Sequence, residues 1–175
     1  MTGSSDPTLP PAAASSSGSA LPARPVRESY FEYSELTLPN DANPLGTLFG
    51  GKLMQWVDLA ASISAARHAR CAVVTASIDS LTFLRPVKIG QLVILKSAVN
   101  RVFRSSMEIG VKVWQEDRAT GDRKHVASAY LTFVSLDPAS RKPNLVPPVL
   151  PQTPEEQRRY DQAQQRRQRR LAERH

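Results

Sequence analysis

Asn43-Pro44-Leu45-Gly46-Thr47-Leu48-Phe49-Gly50-Gly51, followed by the run from Lys52 to Ala69, decides how the rest of the chain folds. The run reads as a helix. From Leu53 to Ala66 it carries Leu, Met, Trp, Val, Ile and many Ala and Ser, and its one charge is Asp58. A surface helix shows a polar face at a period of about 3.6 residues, and this run does not. A membrane span needs about 20 apolar residues, and this run is shorter. The pattern therefore predicts a core helix buried on most sides and wrapped by other elements. A carboxylate in such a helix is costly unless it is paired or hydrogen-bonded. Asp58 is thus a candidate for catalysis, and equally for a structural acid satisfied by backbone amides or a nearby Arg.

Gly50-Gly51 marks the start of the helix. Glycine lets a ligand approach the backbone closely, and the free amides and positive dipole end of a helix suit an oxyanion or carbonyl oxygen. Two glycines also let a helix pack tightly on a sheet, and the pair alone does not separate these uses. Asp58 lies seven residues after Gly51. That returns it to nearly the same helix face, about 10 Å further along.

Working outward, Tyr30 to Leu38 is rich in aromatic and strand-forming residues and reads as a first strand. Pro39, Asn40, Asp41 and Pro44 make a loop. Beyond His68-Ala69-Arg70, strands are expected over Ala72 to Phe83, Leu92 to Phe103, Met107 to Trp114 and His125 to Leu136. Met107, Ile109, Val111 and Val113 alternate with Glu108, Gly110, Lys112 and Trp114 at period two. Thr120-Gly121-Asp122 marks a hairpin loop. The class is α+β: a strand, a buried helix, then four strands as a meander, in an antiparallel five-stranded sheet wrapped around one central helix.

The flanks differ in composition. Residues 1–26 are mostly Pro, Ala, Ser and Gly and are expected to be disordered. Residues 27–137 form the folded domain, and residues 138–151 a Pro-rich linker. Residues 152–175 form a basic helix, with Glu155 and Glu156 in its first turn and Arg166, Arg167, Arg169 and Arg170 near its end. With few apolar residues, this helix is expected to project into solvent, and both flanks to be dispensable for catalysis.

The chain has 175 residues and a net charge of +7. Residues 28–137 hold 12 Lys or Arg against 11 Asp or Glu, while residues 138–175 hold nine against four. The charge excess sits in the tail, so the globular part shows no basic nucleic-acid surface. A nucleic-acid or membrane-surface binder acting through the Arg-rich tail is the alternative of a different class. Tyr160 is the tail's one aromatic, and no apolar face there is broad enough for a membrane helix. No stretch reads as a secretory signal or a membrane span. Cys71, the single cysteine, reads as a small core residue and fits a reducing compartment, so the cytoplasm is expected. His68, His125 and His175 show no metal-ligand spacing and read as surface residues.

Asn43, Gly46, Gly50, Gly51, Met54 and Asp58, at these spacings, resemble the signature of acyl-CoA thioester hydrolases of the hotdog superfamily. The likeness extends through Val74-Thr75-Ala76, Ile78-Asp79, Leu81, Phe83, Pro86-Val87, Gly90, Arg104-Ser105-Ser106 and Ala129 to Val134. Gln91 departs from it, since the family usually has Asp after the Gly. The resemblance implies a hotdog fold, a dimer or trimer of dimers, and sites at the dimer interface that hydrolyse acyl-CoA to free acid and CoA. It implies Asp58 as catalytic base or nucleophile and Asn43 as its partner from another subunit. Gly51 then supplies an oxyanion donor. CoA is part of the substrate, and no separate cofactor or metal is implied. Arg85, Arg104, Ser105 and Ser106 are the candidates for the CoA phosphates. Hotdog dehydratases and hydratases are the alternative within the fold, but they usually carry a His in the catalytic region, and residues 43–58 have none.

Overall fold

The computed structural model describes residues 21–173. The expected disorder of residues 1–20 and the position of His175 lie outside the described residues. The central helix, α1, runs Gly50–Ala69. Leu53, Trp56, Val57, Ala60, Ala61, Ser64 and Ala65 are buried against the sheet. The small Ala and Ser side chains let helix and sheet approach closely. Ser97 Oγ donates to Ala60 O at 2.8 Å and pairs with Ser64 Oγ at 2.7 Å, which satisfies the polar atoms of that contact. The helix ends at Arg70, whose φ of 57° is left-handed and whose N–H donates to Ala66 O.

The sheet has five antiparallel strands: β2 (Phe31–Leu36), β3 (Ala72–Phe83), β4 (Leu92–Val102), β5 (Ser106–Glu116) and β6 (Arg123–Leu136). Their spatial order is β2-β4-β5-β6-β3. The hotdog fold expected from the sequence is therefore present. The meander is not as expected. It contains only β4, β5 and β6, because β3 pairs with β6 rather than with β4. Strand β3 runs back along α1, which lies across the sheet, and so joins its far edge.

Alternation along the strands sends Val93, Leu95 and Val99, Met107 to Val113 in steps of two, and Ala127 to Phe133 in steps of two onto α1. Within this single chain the helix is not covered on all sides. Met54 and Leu59 remain 40% and 44% exposed.

The flanks are corrected. Arg24–Pro25 forms strand β1, which pairs in parallel with β7, Val149–Leu150. Val26, Val146 and Val149 join the core, so the folded body extends past 27–137 on both sides. The basic helix, α2, runs Pro154–Ala172 and starts with a capping box of Thr153 and Glu156. It does not project into solvent; it lies on the sheet face opposite α1. Arg166 pairs with Glu108 of β5 at 2.7 Å and Arg170 pairs with Asp79 of β3. Ala163 is fully buried, Arg101 stacks on Tyr160, and Tyr30 donates to Glu156 at 2.6 Å. His68 is also corrected: it is wholly buried, with Nε2 2.8 Å from Pro147 O.

Candidate active site

Asp58 lies near the middle of α1 and is half-buried. Its Oδ1 accepts a hydrogen bond from Thr75 Oγ1 of β3 at 2.7 Å. No Arg or Lys pairs with it among the described residues, so the acid is held by one hydroxyl and keeps Oδ2 free of protein partners. Thr75 was missed as a site residue in the sequence, because Thr is an ordinary strand residue. Its place at the sheet edge beside Asp58 comes from the β3–β6 pairing, which nothing local in the sequence signals.

Asn43 stands in the loop before α1. Its Oδ1 accepts from the N–H groups of Leu45 at 3.0 Å and Thr47 at 3.2 Å, and its Nδ2 donates to Thr47 Oγ1 at 3.0 Å. Gly46 closes this tight loop with φ of 73°. The carboxamide oxygen is thus committed to its own loop. An amide nitrogen has two hydrogens, so one N–H of Nδ2 remains for a substrate or water.

Gly51 and Gly50 begin the helix, where N–H groups have no intrahelical acceptor. The N-cap residue is Phe49, which offers no polar side chain, and neither glycine N–H finds a partner among the described residues. A Cβ on Gly51 would lie 2.5 Å from the exposed Phe49 ring, which would have to turn aside to admit it. The expected oxyanion donor therefore lies on an exposed residue with its N–H open.

The four candidates for CoA phosphates split between the ends of the sheet. Arg85 is exposed and follows β3, whose last residue, Phe83, reaches Gly50. Arg104, Ser105 and Ser106 turn β4 into β5 at the other end, where Val102 pairs with Met107 and α1 terminates. One chain does not bring them to Gly51. Arg104 has φ of 107°, a strained conformation, and its carbonyl accepts from Val146 N at 2.9 Å.

A cavity of about 490 Å³ lies across the sheet from α1, over Ala98 and Gly110 and beside Arg159 of α2. It includes none of Asp58, Asn43 and Gly51. Asp58 lies instead against Thr75 of β3, an edge strand of the sheet.

The family model for the thioesterase superfamily matches residues 45–121. An uncharacterized acyl-CoA thioester hydrolase of Bacillus subtilis, YkhA, is 48% identical over 140 residues, 80% of this chain and 81% of that protein. Mouse acyl-coenzyme A thioesterase 11 is 40% identical over 80% of this chain, which spans 23% of that longer protein. Among solved structures, an apo-hexameric acyl-CoA thioesterase has a TM-score of 0.85 at 40% identity, covering 87% of this chain and 97% of its own. The acyl-CoA hydrolase of Staphylococcus aureus, in complex with butyryl coenzyme A and coenzyme A, has a TM-score of 0.83 at 40% identity, covering 87% and 93%. That hydrolase was also characterized with an Asn, an Asp and a Thr each replaced by Ala, residues 15 and then 17 positions apart. Asn43, Asp58 and Thr75 are separated by the same intervals. On sequence and on structure alike, the chain belongs to the acyl-CoA thioester hydrolases of the thioesterase superfamily.

Proposed function

We propose that this protein cleaves acyl-CoA to free acid and CoA at sites shared between two copies of the chain. Asp58 and Thr75 come from one copy, and Asn43 and Gly51 from the other. The carrying observation is the Asp58–Thr75 hydrogen bond of 2.7 Å beside an uncovered sheet edge. Thr75 fixes one carboxylate oxygen and leaves the other to act on the thioester carbon, directly or through a water. The carbonyl electrons move onto oxygen as the new C–O bond forms. The unpartnered N–H of Gly51 receives that charge. Collapse breaks the C–S bond and expels the CoA thiolate. On the water route the proton that Asp58 took from the water goes to the sulfur. On the direct route a water hydrolyses the acyl–Asp58 anhydride to free acid, and one of its protons goes to the sulfur. Asn43, with one free amide N–H, orients the thioester or the water.

Two features support a shared site. Along one helix Asp58 stands about 10 Å from Gly51, too far for both to reach one carbonyl. Met54, Leu59, Val74, Ile78 and Phe83 form exposed apolar surface around α1 and β3, and β3 has no strand on its outer side in the single chain. An open edge with apolar side chains is a template for pairing. We read the assembly as a dimer through β3, or three such dimers. The proposed chemistry draws on a carboxylate, a hydroxyl and backbone N–H groups, and CoA enters as substrate, with no separate cofactor. Arg85 stands at the Gly51 end to receive a CoA phosphate. Arg104, Ser105 and Ser106 serve the phosphates only where a neighbouring copy brings its own turn to the site. The cytoplasm is the proposed location, in keeping with Cys71 as the one cysteine. No helix among the described residues is long and apolar enough to cross a membrane.

The test is Asp58→Asn, nearly isosteric but neither base nor nucleophile. Thiol release from acyl-CoA should fall by at least about a thousandfold, with far-UV circular dichroism and melting unchanged. A folded variant with near-wild-type turnover would remove Asp58 from the reaction.

A further inference from the structure

Among the described residues strand β3 has one neighbour, β6, and its ladder to β6 shifts register twice, between Thr75 and Ser77 and between Ile78 and Ser80. Regular alternation would carry Thr75, Ser77 and Asp79 to the same face. The first shift inserts Ala76. Thr75 pairs with Phe133 and faces α1, whereas Ser77 pairs with Thr132 and faces α2. The second shift inserts Asp79, whose side chain also turns to the α2 face. These shifts separate the Thr75 hydroxyl, which reaches Asp58, from the polar groups that follow it.

Asp79 is the clamp on this segment. Ser77 Oγ donates to its Oδ1 at 2.7 Å, and Thr132 Oγ1 donates to its Oδ2 at 3.2 Å. Arg170 of α2 pairs with the same Oδ2 and donates to Thr132 Oγ1 at 2.7 Å. The Asp79 side chain is 9% exposed and that of Arg170 19%. The carboxylate thus ties both sides of the double bulge to β6 and to α2. Bulges re-aim side chains beside functional sites, and a one-residue slip would swing Thr75 to the other face.

We propose that Asp79, held by Arg170, is a positioning residue for hydrolysis: it fixes the double bulge that turns Thr75 onto Asp58. The inference rests on the assignment of Asp58 and Thr75 to the site. Asp79 lies on the far face of the sheet from α1 and touches no substrate. Its loss loosens the hydroxyl that orients the reacting carboxylate, so the effect falls on kcat and leaves KM unchanged. The basic helix thereby acquires a role in catalysis from the opposite side of the sheet.

The experiment measures thiol release by the full-length protein carrying Asp79→Asn, Arg170→Ala, Arg170→Lys, Thr75→Ala, and Thr75→Ala with Asp79→Asn. Asp79→Asn and Arg170→Ala should each lower kcat by about tenfold, with KM within about twofold of wild type. Arg170→Lys should restore most of kcat, because one Arg nitrogen makes both contacts and an ammonium can replace it. In the Thr75→Ala background, Asp79→Asn should have no further effect on kcat, since the two act through one bond. Wild-type kcat in folded Asp79→Asn, or a loss that multiplies fully with that of Thr75→Ala, would overturn the proposal. If Asp79→Asn does not fold, the Arg170 pair decides: wild-type kcat in folded Arg170→Ala would overturn it. An inactive Asp58→Asn beside an unaffected Asp79→Asn defeats only this inference, whereas an active Asp58→Asn defeats the site itself.

Discussion

His68 at the end of α1 has no exposed surface, and among the described residues its Nδ1 has no hydrogen-bond partner. Burial pushes its pKa below the ordinary imidazole value; the Pro147 carbonyl opposes this, and the charge of Arg24 adds to it. The sign of the consequence follows from proton counting. The unfolded chain takes up a proton near the ordinary value of about 6.5, while the folded chain keeps the ring neutral. Stability should therefore fall as pH drops below about 6.5, until the folded pKa is reached. Melting temperature measured from about pH 8 to 5 should decline at the acid end, and His68→Gln should flatten that decline. Equal slopes in both proteins would contradict it. The same residue marks a limit of sequence reading, since nothing local to His68 tells that Pro147, 79 positions away, seals it. Asp58 was legible for the opposite reason: a lone charge in an apolar helix is a local anomaly. Thr75 and Asp79 were not singled out as functional, because their roles come from a pair of bulges that alternation does not reveal.

Helix α1 was legible as an element because its sequence carries its packing. Helix α2 was legible as a helix, but its docking was not, because what holds it lies on strands 58 and 91 positions away. Its sequence is nearly all polar, and it docks through ion pairs, stacked arginines and a single buried Ala. Glu108, 1% exposed, shows what the dock sustains: Arg166 and Asn100 both donate to its carboxylate. Removing one partner of a buried ion pair costs about 3–5 kcal/mol, because the other charge is left without compensation. A chain ending at Pro151 takes Arg166 from Glu108 and Arg170 from Asp79, together with the helix that covers them. Its melting temperature should fall on the order of 10 °C, with reduced turnover at assay temperature. Unchanged melting and full turnover would restore the expectation that the tail is dispensable. The β3 edge follows the same logic: its pairing with β6 brings together Ala72 and Leu136, a long-range contact that hydrophobic pattern does not encode.

For the whole molecule, the open β3 edge, the exposed Met54 and Leu59 of α1 and the Gly51 N–H, without a partner among the described residues, are the features on which the proposed shared site rests. The central claim is that a second copy supplies the other half. A two-fold dimer has two equivalent sites, each drawing Asn43 from one chain and Asp58 from the other. Asn43→Ala and Asp58→Ala proteins, each nearly inactive, are unfolded and refolded together in equal amounts. About half of the dimers should then be mixed, and each mixed dimer holds one site with both defects and one with neither. Native mass spectrometry counts the mixed dimers, and thiol release from acyl-CoA reads the sites. Recovery of about a quarter of wild-type activity is the expected result. Background activity in a sample shown to contain mixed dimers would contradict the shared site.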